Sequence, residues 1–278
     1  MNHDPGDRHP LDEPDPRGRY RLCRAGLAFN ALGLAMLAVH NAAGLAVNLR
    51  IGEELGLRRV VNSHEWIAFF TTGITWSLLI GPYLLLGRWA EPHWRRRIGL
   101  LLMIGFLKIG TWLASNAVYF GLARVEPPHE WLRMQFIIGI GYIQFGLLAA
   151  LAADVAGHLG ARLNPEGLRR ARVLVALGMI LWAVGLLNHT DWARGWPLMP
   201  IGFGPRNIFQ IILLSLAIFL TRTLCALQGM LLSLVAIREC SGYLRELDVA
   251  EALGHRAGPD LGLDALKTRS TGFDDDRW

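Results

Sequence analysis

The stretch WIAFFTTGITWSLLIGPYLLLG, running from Trp66 to Gly87, holds no charged side chain and is apolar on every face of a helix. A hydrocarbon layer of about 30 Å takes about 20 helical residues, so this stretch is long enough to cross a bilayer. Working outward, residues 25–48 and 98–121, then 134–159, 173–187 and 208–237 read in the same way. A soluble domain has no use for so many helices that are apolar all round. The predicted fold class is all-α: a polytopic membrane protein, a bundle of six transmembrane helices built as three outward-facing hairpins. Residues 1–24 read as a disordered tail rich in proline and mixed charge. Residues 238–278 read as a helix extension, ended by Gly254, and an acidic disordered tail.

Composition agrees. Hydrophobic residues make up 52% of the chain and charged residues 18%, below the share of about 25% usual for soluble domains, so lipid is the main solvent. Backbone amides in hydrocarbon must be satisfied within the protein, which leaves helices or a closed barrel. Runs without two-residue alternation exclude the barrel. The formal net charge is +5, but the arginines cluster in short loops beside the apolar runs, so the expected partner is a bilayer and not nucleic acid. Cys23, Cys225 and Cys240 have no metal-ligand or redox spacing.

The arginines also set an orientation. Arg17, Arg19, Arg21 and Arg24, then Arg88, Arg95, Arg96 and Arg97, then Arg162, Arg169, Arg170 and Arg172 precede the first, third and fifth runs. The alternate loops are poorer in arginine. The positive-inside rule places both termini in the cytoplasm, and a bacterial inner membrane is the default location. The sixth run, at a rise of 1.5 Å per residue, reaches roughly 45 Å and must tilt or project from the membrane.

On the outward side a pattern recurs: His64-Glu65-Trp66, His129-Glu130-Trp131 and His189-Thr190-Asp191-Trp192. At helix starts it has a structural explanation: Ser63 caps, Pro127 and Pro128 preset a first turn, acids meet the positive dipole end and tryptophan sits in the headgroup layer. A metal site is the functional alternative, with His64, His129 and His189 converging beside Asp191 or the neighbouring acids to hold zinc, copper or iron. Between Trp192 and Arg206, prolines and glycines forbid a helix, and the loop reads as a lid over the outer mouth or, equally, as an inert interfacial loop.

Polar residues inside the runs are the remaining candidates. His40 lies about 22 Å from the inner boundary and is followed by Asn41; Asn116 falls at a similar outer depth. Together they read as the lining of a wet vestibule. Lys108 sits about 15 Å into the third span, where its side chain is least able to snorkel to water. Depth puts Gln144 near it, and no acid. Lys108 therefore is neutral, or faces water, an anion or another subunit. Asp154 and Arg222 both reach the inner layer and read as a structural ion pair, or as a gate that opens when the pair parts.

Glu53-Glu54-Leu55-Gly56-Leu57-Arg58 resembles the paired-glutamate motif of intramembrane proteases of the CAAX-processing type. That resemblance implies later Phe-x-x-x-His and His-x-x-x-Asn elements, and neither spacing occurs in this sequence. No P-loop, dinucleotide-binding glycine pattern, Gly-x-Ser-x-Gly or His-Glu-x-x-His motif is present. With no complete catalytic or cofactor signature, the leading expectation is small-solute or ion binding and transport through the outward vestibule, with Lys108 as midplane contact. Two alternatives stand beside it. One is a membrane metal or haem redox protein using the outward histidines and His40. The other is a non-catalytic subunit or anchor that meets a membrane-complex partner or a second copy of itself.

Overall fold

The computed structural model of the chain describes residues 16–51, 56–86, 92–119, 127–159, 165–189 and 208–257. Seven helices lie within them: α1 (Pro16–Asn48), α2 (Leu57–Val61), α3 (His64–Leu85), α4 (Pro92–Tyr119), α5 (Pro127–His158), α6 (Pro165–His189) and α7 (Ile208–Ala257). No strand occurs among the described residues. The all-helical class follows from the solvent, because a helix satisfies its own amides without water.

Helices start where local chemistry permits. Ser63 caps α3 by accepting from the Trp66 amide at 3.2 Å, with Glu65 in the first turn at the positive end of the dipole. Proline at the first position of α1, α4, α5 and α6 needs no amide partner there and presets the backbone angle. The loop between α1 and α3 holds a short helix, α2, absent from the sequence reading. It follows Gly56, whose φ of 67° is left-handed and favours glycine.

Several boundaries move outward from the expected ones. α1 begins at Pro16, so residues 16–24 are helical and not part of a disordered tail. Tyr20 and Cys23 are buried, against Tyr243 at a ring-centroid distance of 4.6 Å and Cys240 at 3.9 Å between sulfurs. α5 and α6 likewise start before residues 134 and 173. A helix has no reason to stop at the hydrocarbon boundary when its polar turns can be solvated, and Arg170 donates to Glu166 at 2.8 Å across one such turn. α7 passes through Gly254 to Ala257, since a single glycine costs a helix only about 1 kcal/mol relative to alanine.

α1 and α7 form the longest antiparallel pair. Tyr20 meets Tyr243 and Cys23 meets Cys240, while a Cβ on Gly229 would stand 3.1 Å from Leu34 and one on Gly44 would stand 3.4 Å from Phe219. One register satisfies all four. It spaces positions alternately by three and four residues, through Cys23, Leu27, Asn30, Leu34, Leu37 and Asn41 on α1 and Arg222, Ala226, Gly229, Ser233, Ala236 and Cys240 on α7. That spacing is the seam of a coiled coil. Small residues on the α7 side let the two backbones come close, the usual means of helix association where lipid removes the hydrophobic drive.

α3 packs on another face of α1, also through glycine. A Cβ on Gly26 would sit 2.7 Å from the Gly81 carbonyl oxygen, and one on Gly33 would sit 2.7 Å from Leu78. α4 follows antiparallel to α3, with Gly105 against Leu79, and α5 antiparallel to α4, with Arg97 on Asp154 and Lys108 on Gln144. The main contacts close a ring of α1, α3, α4, α5 and α7, and α6 packs outside it in the groove between α5 and α7. Because α1 and α7 are antiparallel, the start of α1 lies beside the distal end of α7: Arg17 pairs with Asp248 at 3.2 Å and with Glu251. Arg95–Arg97 and Arg169–Arg172 occupy this same arginine-rich end.

Among the described residues, four helices are long and apolar enough to cross a membrane: Arg17–Val47, Glu65–Leu85, Phe136–His158 and Leu216–Ala252. The bundle also turns large apolar side chains outward, among them Phe69, Tyr83, Met103, Phe106, Ile180 and Leu213, each more than half exposed. An apolar exterior around a core containing buried Asn30, Asn41, Gln144 and Ser233 suits lipid. The chain is an integral membrane protein. α4 and α6 are helical where the third and fifth spans were expected.

Candidate functional site: a polar layer inside the helix ring

Lys108 lies on α4 and its Nζ donates to Oε1 of Gln144 on α5. Gln144 is 1% exposed and its Nε2 has no partner. The register that joins these two residues is the one that joins Arg97 to Asp154, so their meeting is imposed by the α4–α5 packing. Thr111, one turn on, returns its hydroxyl to the Lys108 carbonyl at 2.8 Å, which satisfies both groups within the helix.

α7 brings Arg222 to the same layer. Arg222 lies within electrostatic reach of Lys108, His40, Tyr142 and Cys225. Tyr142 on α5 donates its hydroxyl to the Ile218 carbonyl, one turn before Arg222, at 3.2 Å, which fixes the heights of α5 and α7 relative to each other. Arg222 has no hydrogen-bond or ion-pair partner among the described residues, and its Nε is buried. Thr221 and Thr223, on either side of it, donate back to the carbonyls of Ala217 and Phe219 within α7.

α1 completes the layer. The α1–α7 register sets Asn41 level with Arg222, and Asn41 is 1% exposed with Nδ2 unpartnered. His40 stacks on Phe70 of α3 at a centroid distance of 5.8 Å, Phe70 in turn packs on Trp66, and the histidine Nδ1 is buried without a partner. Of the expected solute contacts, the structure therefore brings Lys108, Gln144, His40 and Asn41 into one region of the ring. Asn116 is on α4, but its side chain lies outside the described residues.

Asp154 departs from its expected role. It pairs with Arg97 of α4 and not with Arg222. Helix depth alone made Arg222 a candidate, because an arginine can reach several ångströms along a helix. The structure leaves the Arg222 Nε buried, within electrostatic reach of Lys108 and His40, while Arg97, one helix over, meets the carboxylate directly. The gate proposed for an Asp154–Arg222 pair goes with it.

The outward histidines sit at helix ends of one face: His64 opens α3, His129 lies in the first turn of α5 and His189 closes α6. Their side chains, and Asp191 with the loop through Arg206, lie outside the described residues. Among the described residues no three histidine, cysteine or acidic side chains come together to hold a metal. On that face, Gly56, Arg58, Arg59 and Asn62 line a shallow open depression.

Sequence reasoning passed over two features. Read from helix depth, Arg222 belongs to a pair with Asp154 and not to the Lys108 layer. The three-four spacing shared by residues 20–41 and 222–243 was legible, and it would have placed Arg222 opposite Asn41. No protein-family model, curated protein or solved structure matches this chain.

Proposed function

We propose that the chain is a six-span membrane protein that binds a small solute or ion and moves it through the helix ring, with Lys108 as midplane contact. One observation carries this reading: a lysine is held by a buried glutamine inside a ring of apolar helices. An ionisable group at such depth is expensive, and interior placement marks a pathway more often than a scaffold. Four of the five ring helices contribute polar groups to this layer, an economical way for a solute to meet several helices at once.

The six-span count draws support from α4 and α6. Leu100, Met103, Phe106 and Leu113 form an outward apolar stripe on α4, and Val173, Leu177 and Ile180 form one on α6. Both helices also alternate in direction with their neighbours. The arginine-rich end then faces the cytoplasm with both chain termini, as the positive-inside rule requires, and a bacterial inner membrane is the expected location.

Reconstitution tests the activity. Proteoliposomes containing the purified chain take up a solute from a panel of amino acids, sugars, carboxylates and inorganic ions, and Lys108→Met lowers that uptake at least about tenfold while expression and melting stay normal. Uptake unaffected by Lys108→Met would remove Lys108 from the pathway. Absence of uptake for the whole panel, with a fixed partner co-purifying, would make the chain a subunit instead.

A further inference from the structure

We propose that Lys108, Gln144 and Arg222, with Asn41 and His40 alongside, form an intramembrane binding site for a small monovalent anion. The inference deepens the transport reading and rests on its placement of Lys108, but it names the ligand class and adds Arg222 as the second cation.

The charge pattern is the first argument. Arg222 carries its proton under any condition a protein meets. It lies within electrostatic reach of Lys108, which a hydrogen bond ties to Gln144, so a guanidinium and an amine share one apolar interior. The ring helices supply nothing to balance them. α1 has no acid, and between Trp66 and Leu85, Trp94 and Tyr119, Trp131 and Ala153, and Ile208 and Arg238 there is none either. Along α5 the next acid is Asp154, already committed to Arg97, and along α7 it is Glu239. A buried cation without a counter-charge is destabilising by several kcal/mol, so Arg222 calls for a negative ligand, and that ligand would hold the neighbouring Lys108 amine in its charged form.

The second argument is the kind of atom left over. Arg222 Nε, Gln144 Nε2 and Asn41 Nδ2 are buried and without partners, and each can only donate. Lys108 Nζ spends one of its three donors on Gln144 Oε1. His40 Nδ1 is buried and unpartnered, and donates in one tautomer. A sugar or an amino acid would bring donors of its own that need acceptors, and a metal cation would meet two like charges. An anion needs donors and positive charge, and the layer offers both. On the inner side of Arg222 the α1–α7 seam closes over buried Ala226 and, two turns on from Arg222, over Gly229, whose Cβ position lies 3.1 Å from Leu34, so the proposed ligand is a small one: a halide, nitrate or formate.

Thermal melting of the full chain in detergent tests the site, with sodium gluconate as a bulky reference salt and sodium chloride, nitrate or formate substituted at equal ionic strength. At least one small anion raises the melting temperature by several degrees in a saturable way, as a ligand selective for the native state must. Arg222→Gln and Lys108→Met each weaken that anion's apparent affinity at least about tenfold, whereas Arg222→Lys keeps most of it. If Arg222→Gln does not purify, the comparison of Lys108→Met with the parent decides alone. Identical melting in all salts overturns the inference, as does an anion-dependent rise of the same size in Lys108→Met. Uptake separates it from the wider reading. Lys108-dependent uptake of a neutral or cationic solute with no anion effect keeps transport and removes the anion site. An anion effect that needs both cations, without uptake, keeps the site and removes transport.

Discussion

At the arginine-rich end of the bundle the cations meet carboxylates: Arg97 faces Asp154, and Arg17 faces Asp248 and Glu251. In the middle of the ring they do not. Lys108 meets an amide, and Arg222 meets no partner among the described residues. The difference shows that this chain supplies acids where a pair is structural and withholds them deeper in, where burying an unpaired charge costs more. Packing divides the same way. Toward the arginine-rich end, α1 is clasped between glycines of α3 and small residues of α7, whereas the middle layer carries bulky polar side chains with atoms to spare.

The largest effect expected from breaking this contrast is a glycine substitution at the clasp. Gly26→Leu drives a side chain into the Gly81 carbonyl 2.7 Å from its Cβ and into Leu85 at 2.9 Å, and neither backbone can withdraw without parting α1 from α3. Overpacking of this kind costs about 3 kcal/mol. The expected result is loss of monodisperse protein in size-exclusion chromatography, or a melting transition lowered by many degrees. Gly110→Leu is the matched control, because nothing lies within 4 Å of its Cβ position, and it leaves both measurements unchanged. Equal tolerance of the two substitutions would show that the clasp is not what holds this half together.

A smaller loss is expected from Asp154→Asn. The pair it forms with Arg97 is only partly buried, with side chains 34% and 26% exposed, so it is worth less than a fully buried pair and more than a surface one, about 1–3 kcal/mol. Arg97→Gln combined with Asp154→Asn recovers part of the loss, because the unpaired guanidinium is gone. A double-mutant cycle read by melting measures the coupling directly. A coupling near zero would mean that the acids at this end are not structural, and the contrast with the middle layer would lose its meaning.

How much of this was legible before the fold was known depends on range. The apolar runs gave the helical class, and Ser63, Glu65, Pro127 and Pro128 gave α3 and α5 their starts, because caps act through neighbours in sequence. Helix depth put Lys108 near Gln144, since antiparallel neighbours joined by a short loop share a height. Depth could not pair Asp154, because height says nothing about azimuth: Arg97 and Arg222 both come within an arginine's reach of that level, and only the ring order of α4, α5 and α7 selects between them. The helical start at Pro16 was hidden for the same reason. Residues 16–24 look polar in isolation, and only the far end of α7 provides Tyr243 and Cys240 for Tyr20 and Cys23 to pack on.

The smallest effect expected has the opposite sign and tests the contrast most directly. Replacing Lys108 by Met and Gln144 by Leu together removes a buried charge and both members of its hydrogen bond, leaving no orphan of that pair behind. Where a buried polar pair is structural, its loss opens a defect; where it is kept for a ligand, exchange for apolar groups of similar volume is neutral or stabilising, here by about 1 kcal/mol. The double variant therefore melts at or slightly above the parent in gluconate, while Lys108→Met alone stays at the parent's value, because what it gains by removing the amine it loses in leaving Gln144 Oε1 without its donor. Asp154→Asn with Arg97→Gln shows the reverse order, still below the parent after both partners are gone. If the Lys108–Gln144 exchange destabilised the chain as much as the Asp154–Arg97 exchange does, the middle layer would be one more structural pair, and its unpartnered atoms would carry no functional meaning.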